Sequence, residues 1–414
     1  MLEPQSTALF LVCMLAFAGF AWWMVVAKQV VFRVLAACLA FVPAMAFGVA
    51  AVNKYYDYYQ TWGAAIADFT GQSGGQAPSI DSTETMTSEK FSKILRGEIN
   101  KTEAEQQGVV VPVTVPGPLS HITRSVLIFL PPQYFRASYA DYRFPVIELY
   151  PGYPGYPEDW INMMGVNSNL DAIVSDGLAK PAVLVMPDIE GTRHRSLECL
   201  NLPGSFQDAT YLAKDVPDFV ARTLRVQPPG RAWGEAGYSE GGFCAANLAL
   251  QYPKDYGYAG VLSGYFVPGQ VLAGSTYTWP FAGDPALKEA NTPLDEVALI
   301  PGSTPIPRFW LGAGGSDAQD VSAARAFQQV LLPRQSDVQL RLWPHGGHTG
   351  NTWRGLLDPM LEWMTNGLAK AVAASSHYGH GQHLPGLVAP CPTCLDGNGT
   401  TRAPTAPGPA DASG

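Results

Sequence analysis

The pentapeptide Gly237-Tyr238-Ser239-Glu240-Gly241 constrains this chain more than any other stretch. It follows RAWGEAG, a run of strand character, and opens GGFCAANLALQY, which reads as a helix. A serine on so sharp a strand-to-helix turn takes up a strained backbone conformation. Side chains two positions before and after it would collide, so Gly237 and Gly241 fit there. Gly242 lets helix pack closely on strand. The pattern G-x-S-x-G also arises by chance on surface turns; the strand before and the helix after distinguish this one.

The surrounding sequence alternates in the same way. VVVPVTV and SVLIFL read as an antiparallel pair. FPVIELY (144–150), PAVLVMPD (181–188), GYAGVLSG, PRFWLGAG and VQLRLWP are further strands. DATYLAKDVPDFVARTL (208–224), AARAFQQVLL and the stretch from TWRGLLDPM onward are helices. Apolar strands separated by helices predict an α/β fold with a mostly parallel central sheet covered on both faces. With the serine turn, that is the α/β-hydrolase fold.

A serine nucleophile needs a base, and in this fold the base sits on the last strand-to-helix loop. His348, in PHGGHTGNTW, has that place; His345 is the alternative. His377, His380 and His383 lie in a Pro/Gly-rich tail. The base needs a carboxylate that falls between serine and histidine in the chain. Asp317, in GGSD after PRFWLGAG, is expected to supply it, with Asp320 one turn later as competitor. An oxyanion hole needs two backbone N–H groups. Glu240 should give one and the loop Pro151-Gly152-Tyr153-Pro154-Gly155 the other. Its prolines have no N–H, which leaves Tyr153 or Gly152, with Tyr153 preferred.

The N-terminus is of another kind. Residues 7–27 and 34–52 carry no charge, and each is long enough as a helix to cross about 30 Å of hydrocarbon. Pro43 lies within the second. A cleaved signal peptide would begin with basic residues, whereas only Glu3 precedes the first run; a buried core helix pair fits the uninterrupted apolarity poorly. A two-helix transmembrane hairpin is therefore expected. Lys28 and Arg33 place its short loop in the cytoplasm and everything after residue 52 outside, with Lys54 opposing. Tyr55, Tyr56, Tyr58, Tyr59 and Trp62 read as an interfacial aromatic belt. The expected organisation is an anchor (1–69), a Gly/Ser/Thr-rich linker (70–107), a catalytic domain (108–372) and a disordered tail (373–414). A net charge of −9 argues against nucleic acid as a partner.

The PGYPG loop, GYSEGG, GGSD and GGHTGNTW, in that order, resemble the putative-esterase family, which includes esterase D and the antigen 85 mycolyltransferases; the resemblance covers roughly residues 108–370. SLECLN, TYLAKDVPDFV and GYSEGGFCAANLALQYP resemble exported actinobacterial members. The resemblance implies a serine triad, no metal or other cofactor, and acyl transfer to water or to a sugar hydroxyl. It also implies that Cys199 and Cys244 pair as a disulfide, which an extracytoplasmic domain permits; two buried thiols are the alternative. The chain departs from antigen 85 in its anchor and in having aspartate where those proteins use glutamate. The expected activity is that of a serine esterase held at the cell membrane with its catalytic domain extracytoplasmic, acting on an ester or acyl substrate. The rivals are an acyltransferase on envelope glycolipid or polysaccharide and a non-catalytic binding module.

Other features carry plainer readings. Cys391 and Cys394 in CPTC, with the tail histidines, imitate a zinc site, but a local disulfide or free thiols suit such a tail better. Arg193-His194-Arg195 reads as a solvated loop, and Tyr153, Tyr156 and Trp160 as packing or pocket aromatics.

Overall fold

Strands β1 (Val109–Pro116) and β2 (Thr123–Leu130) pair antiparallel, from Val109 opposite Leu130 to Pro116 opposite Thr123. The other strands are β3 (Val146–Tyr150), β4 (Val183–Pro187), β5 (Gly230–Tyr238), β6 (Tyr256–Leu262), β7 (Arg308–Gly314) and β8 (Gln339–Trp343). All eight join one sheet in the order β1-β2-β4-β3-β5-β6-β7-β8. β2 is antiparallel to β4, and every pairing from β4 through β8 is parallel. The computed structural model describes residues 3–56, 59, 61–63, 65–66, 100–191, 196–202, 206–269 and 284–378.

β3 and β4 are buried along their whole length because helices cover both faces of the sheet. Successive side chains point to opposite faces: Val146 and Tyr150 join one apolar cluster, Ile147 and Leu149 the other. This arrangement is the α/β-hydrolase order that the alternating sequence predicts.

Two carboxyls lie inside this core. Glu148 on β3 and Glu235 on β5 are register partners, and both are fully buried. Tyr150 Oη lies 3.1 Å from Glu148 Oε2 and 3.1 Å from Glu235 Oε2, and Tyr256 donates to Glu148 Oε2 at 2.7 Å. Tyr150 has one hydroxyl proton for two carboxyl neighbours, so one carboxyl must itself donate. Burial pushes Glu148 up to about 8 and, with the neighbouring Glu148 charge, Glu235 well above the carboxylate range. Glu235 is therefore the natural holder of the extra proton.

The N-terminal helices are α1 (Thr7–Val26) and α2 (Val30–Tyr56), both long and apolar enough to cross a membrane. Ala36, Ala40 and Ala50 of α2 and Cys13 of α1 are buried in an otherwise exposed pair, so small residues mark the contact. α2 continues through Pro43. Helix α3 (Lys101–Gln107), capped by the Asn100 side chain, falls inside the stretch expected to be linker. The remainder of that linker up to residue 99 lies outside the described residues.

The expected helix over 208–224 is three pieces. Asp208–Thr210 is α-helical, Tyr211–Asp215 widens into a π-turn, and α4 (Val216–Thr223) follows. Pro217 lacks the N–H that would bond an α-helical carbonyl four residues back, which favours a register change just before it. Then come α5 (Glu240–Gln251), α6 (Ala318–Leu331) and α7 (Gly350–Tyr378), the last running beyond the expected domain end at 372. Residues 1–374 form one compact unit. Arg193-His194-Arg195, His380, His383, Cys391 and Cys394 lie outside the described residues.

Candidate active site

Each catalytic candidate lies just past the C-terminal end of a parallel strand. Ser239 ends β5, the Pro151–Gly155 loop leaves β3, Asp317 and Asp320 follow β7, and His348 follows β8. A parallel sheet brings such loops to one edge, which is why residues more than a hundred positions apart can meet.

Ser239 has φ 56° and ψ −121°, a left-handed geometry rare for a residue with a side chain. The two flanking glycines make it possible. A Cβ on Gly237 would stand 2.0 Å from the Gly241 carbonyl oxygen, and one on Gly241 would stand 2.0 Å from that of Tyr150. The turn lifts Ser239 Oγ to 2.9 Å from His348 Nε2. His348 Nδ1 in turn lies 2.9 Å from Asp320 Oδ2. With the ring proton on Nδ1, Asp320 accepts from the histidine and Nε2 is left to accept from the serine. The indole of Trp353 meets the His348 ring edge-on at 5.2 Å and stacks on Tyr238 at 4.6 Å, so the imidazole rests on a packed aromatic wall.

The acid partner differs from expectation. Asp317 caps α6: its Oδ1 accepts the backbone N–H groups of Gln319 and Asp320, each at 3.0 Å. A side chain engaged with those two amides points along its own helix axis. Asp320, one turn in and buried, is the carboxylate that reaches the histidine. The signal was present in the sequence, because an aspartate followed three residues later by an acid at a helix start is the spacing of a cap and its N3 partner. His345 is an exposed turn residue with φ 58°.

Ligand atoms of Asp317, Asp320 and His348 lie within 4.8 Å of one another. The backbone of α6, the histidine and the serine already occupy the atoms such a site would use. The donor set suits a proton relay better than a cation.

The oxyanion candidates flank the serine. Glu240 opens α5, so its N–H has no intrahelical partner, and the positive end of the helix points the same way. Gly152 runs against Ser239: a Cβ there would stand 3.1 Å from Ser239 Cβ. Tyr153 follows it, and both line a cavity together with Ser239 and His348.

Behind the serine lies an acidic cluster that sequence reading missed. The Glu240 carboxyl is buried and accepts from Ser196 Oγ at 2.7 Å. Burial raises both Glu240 and Glu190, and the charge of Glu240 raises Glu190 further, so the pair retains a proton. Negative charge beneath the oxyanion position is thereby limited. A disulfide between Cys199 and Cys244, with Cα atoms 5.6 Å apart, ties the 196–202 segment to α5. Only proximity in the fold reveals this cluster, since its members lie on three separate segments.

The family model described as "Putative esterase" matches residues 122–364. The chain belongs to that family. It is thereby a hydrolase of the ester-cleaving kind. An uncharacterised protein of Corynebacterium glutamicum is 26% identical over 356 residues, covering 80% of this chain and 76% of its own length. The MPT51 antigen of Mycobacterium leprae is 39% identical over 77 residues, 17% of this chain and 25% of that protein. Among solved structures, a ferulic acid esterase superposes with a TM-score of 0.54 at 19% identity, over 63% of this chain and 99% of its own. A fluorophosphonate-binding serine hydrolase of Staphylococcus aureus does so with a TM-score of 0.53 at 17% identity, over 63% and 99%. At such identities these two speak for the fold.

Proposed function

We propose that the chain is a membrane-anchored serine esterase whose catalytic face lies outside the cytoplasm. The observation that carries this reading is the hydrogen-bonded line Ser239–His348–Asp320 at the mouth of an apolar cavity. His348 Nε2 takes the proton as Ser239 Oγ bonds to the ester carbonyl carbon. Asp320 holds the tautomer and stabilises the imidazolium. The N–H groups of Glu240 and Tyr153 receive the oxyanion. Collapse breaks the bond to the alkoxy oxygen, which leaves with the proton from His348, and the acyl group stays on Ser239. Water, deprotonated by His348, then releases the acid.

Two apolar helices, with Lys28 in the loop between them and Arg33 in the first turn of α2, support the anchor and its orientation. An alcohol in place of water would turn the same acyl-enzyme into a transferase intermediate, with an envelope glycolipid as one acceptor. Labelling with a fluorophosphonate tests the nucleophile. Wild type should label at Ser239 and Ser239→Ala should not, with kcat falling by about 10⁶-fold. Equal labelling of the two proteins would end the assignment. Product analysis with trehalose present separates hydrolysis from transfer.

A further inference from the structure

The cavity over Ser239 has a wall that the catalytic body does not supply. It holds about 540 Å³, with Tyr153, Tyr156 and Trp353 on one side and Val49, Val52 and Tyr59 on the other. Val49 and Val52 belong to α2. A second apolar cavity of about 550 Å³ shares Val49, Asn53 and Tyr59 with the first and continues along α2 past Met45 and Ala46. Met45, Val49 and Val52 stand three or four positions apart, so they form one stripe along the helix. Val49 and Val52 are 65% and 60% exposed, as are Phe41 and Val42 farther from the cavity on the same helix.

Within the N-terminal segment, hydrogen bonds hold Tyr59 and Trp62 against the helix hairpin. The Asn53 side chain accepts the Tyr59 N–H and donates to the Tyr59 carbonyl, each at 2.8 Å. Gln5 donates to the same carbonyl at 3.1 Å, and the Trp62 N–H donates to Glu3 Oε2 at 3.2 Å. Depth in the membrane agrees with this. The 27 residues of α2 span about 40 Å, roughly 10 Å more than a bilayer's hydrocarbon core. Its last turns, which carry Val52 and Asn53, then stand at the headgroup boundary, while Met45 lies within the acyl region.

We infer that α2 is part of the substrate site as well as an anchor: the acyl chain of a membrane-lipid ester lies along the Met45–Val49–Val52 stripe, and its carbonyl reaches Ser239 without crossing water. This rests on the serine-esterase reading. The chemistry is the hydrolysis already described, and no further reactant is needed.

The test uses the full chain in phosphatidylcholine nanodiscs with p-nitrophenyl butyrate and p-nitrophenyl palmitate. Val49→Trp and Val52→Trp fill the stripe on exposed positions and leave the serine, histidine and aspartate untouched. Each should lower kcat/KM for the palmitate at least about fivefold more than for the butyrate. Unchanged palmitate hydrolysis, or a parallel fall for both esters, would overturn the inference while wild-type butyrate hydrolysis and Ser239 labelling still stand. A wild type that cleaves neither ester and does not label would instead overturn the esterase reading, and this inference with it.

Discussion

Asp317 and Asp320 stand three residues apart, and the structure gives them opposite tasks. Asp320→Asn keeps the shape of the side chain but removes the charge, and with it control of the His348 tautomer across the 2.9 Å contact. The equivalent loss in a serine triad costs about 10⁴-fold in kcat, or about 5 kcal/mol of transition-state stabilisation. Asp317→Asn keeps the oxygen that accepts from Gln319 and Asp320, and asparagine caps a helix about as well as aspartate. It should leave kcat within about threefold and the melting temperature nearly unchanged. Asp317→Ala removes the cap and should cost about 1 kcal/mol, a few degrees in Tm for a body of this size. Hydrolysis of p-nitrophenyl butyrate at pH 7.5 and thermal melting of the three variants provide the readings. If Asp317→Asn loses a thousandfold while Asp320→Asn keeps a tenth of its activity, the assignment from hydrogen bonding is wrong.

The remaining predictions concern stability. The Cys199–Cys244 bridge joins positions 45 residues apart, and a loop of that length implies about 4 kcal/mol. The Cys199→Ser/Cys244→Ser double variant should unfold at correspondingly lower urea, and an unshifted midpoint would remove the bridge from the account. Glu148 holds its proton to about pH 8 when folded, against about 4.5 when unfolded. Its stabilisation is complete below pH 4.5 and is lost as pH rises to 8, at about 1.4 kcal/mol per pH unit, because only the unfolded chain gains by ionising over that range. Glu148→Gln should flatten this slope in urea unfolding between pH 5 and 8; parallel slopes for variant and wild type would count against a protonated core carboxyl.

The architecture was legible wherever burial dictates the residue types. VIELY and VLVMP could be read as strands because a parallel sheet covered on both faces tolerates little else there. Ser239, His348 and the loop after β3 were legible because the fold ties each to a strand end. Asp317 and Asp320 both follow β7, and the cap spacing at the start of α6 is the one local sign that separates them. Glu148 inside VIELY looked like an interruption of an apolar run; its partners Glu235, Tyr150 and Tyr256 come from three strands, so no local pattern announces them. That Val49 and Val52 of α2 line the same cavity as Ser239 is likewise a tertiary fact that neither segment encodes alone.

The backbone at Ser239 sets activity against durability. A residue with a side chain held in that left-handed geometry costs roughly 1–3 kcal/mol, which the surrounding sheet and helix must offset. Glycine would occupy the same φ and ψ without strain, so the variant best suited to the turn is a dead one. Selection for heat resistance alone therefore pushes against the nucleophile, and only selection for catalysis keeps a hydroxyl at the tightest point of the chain.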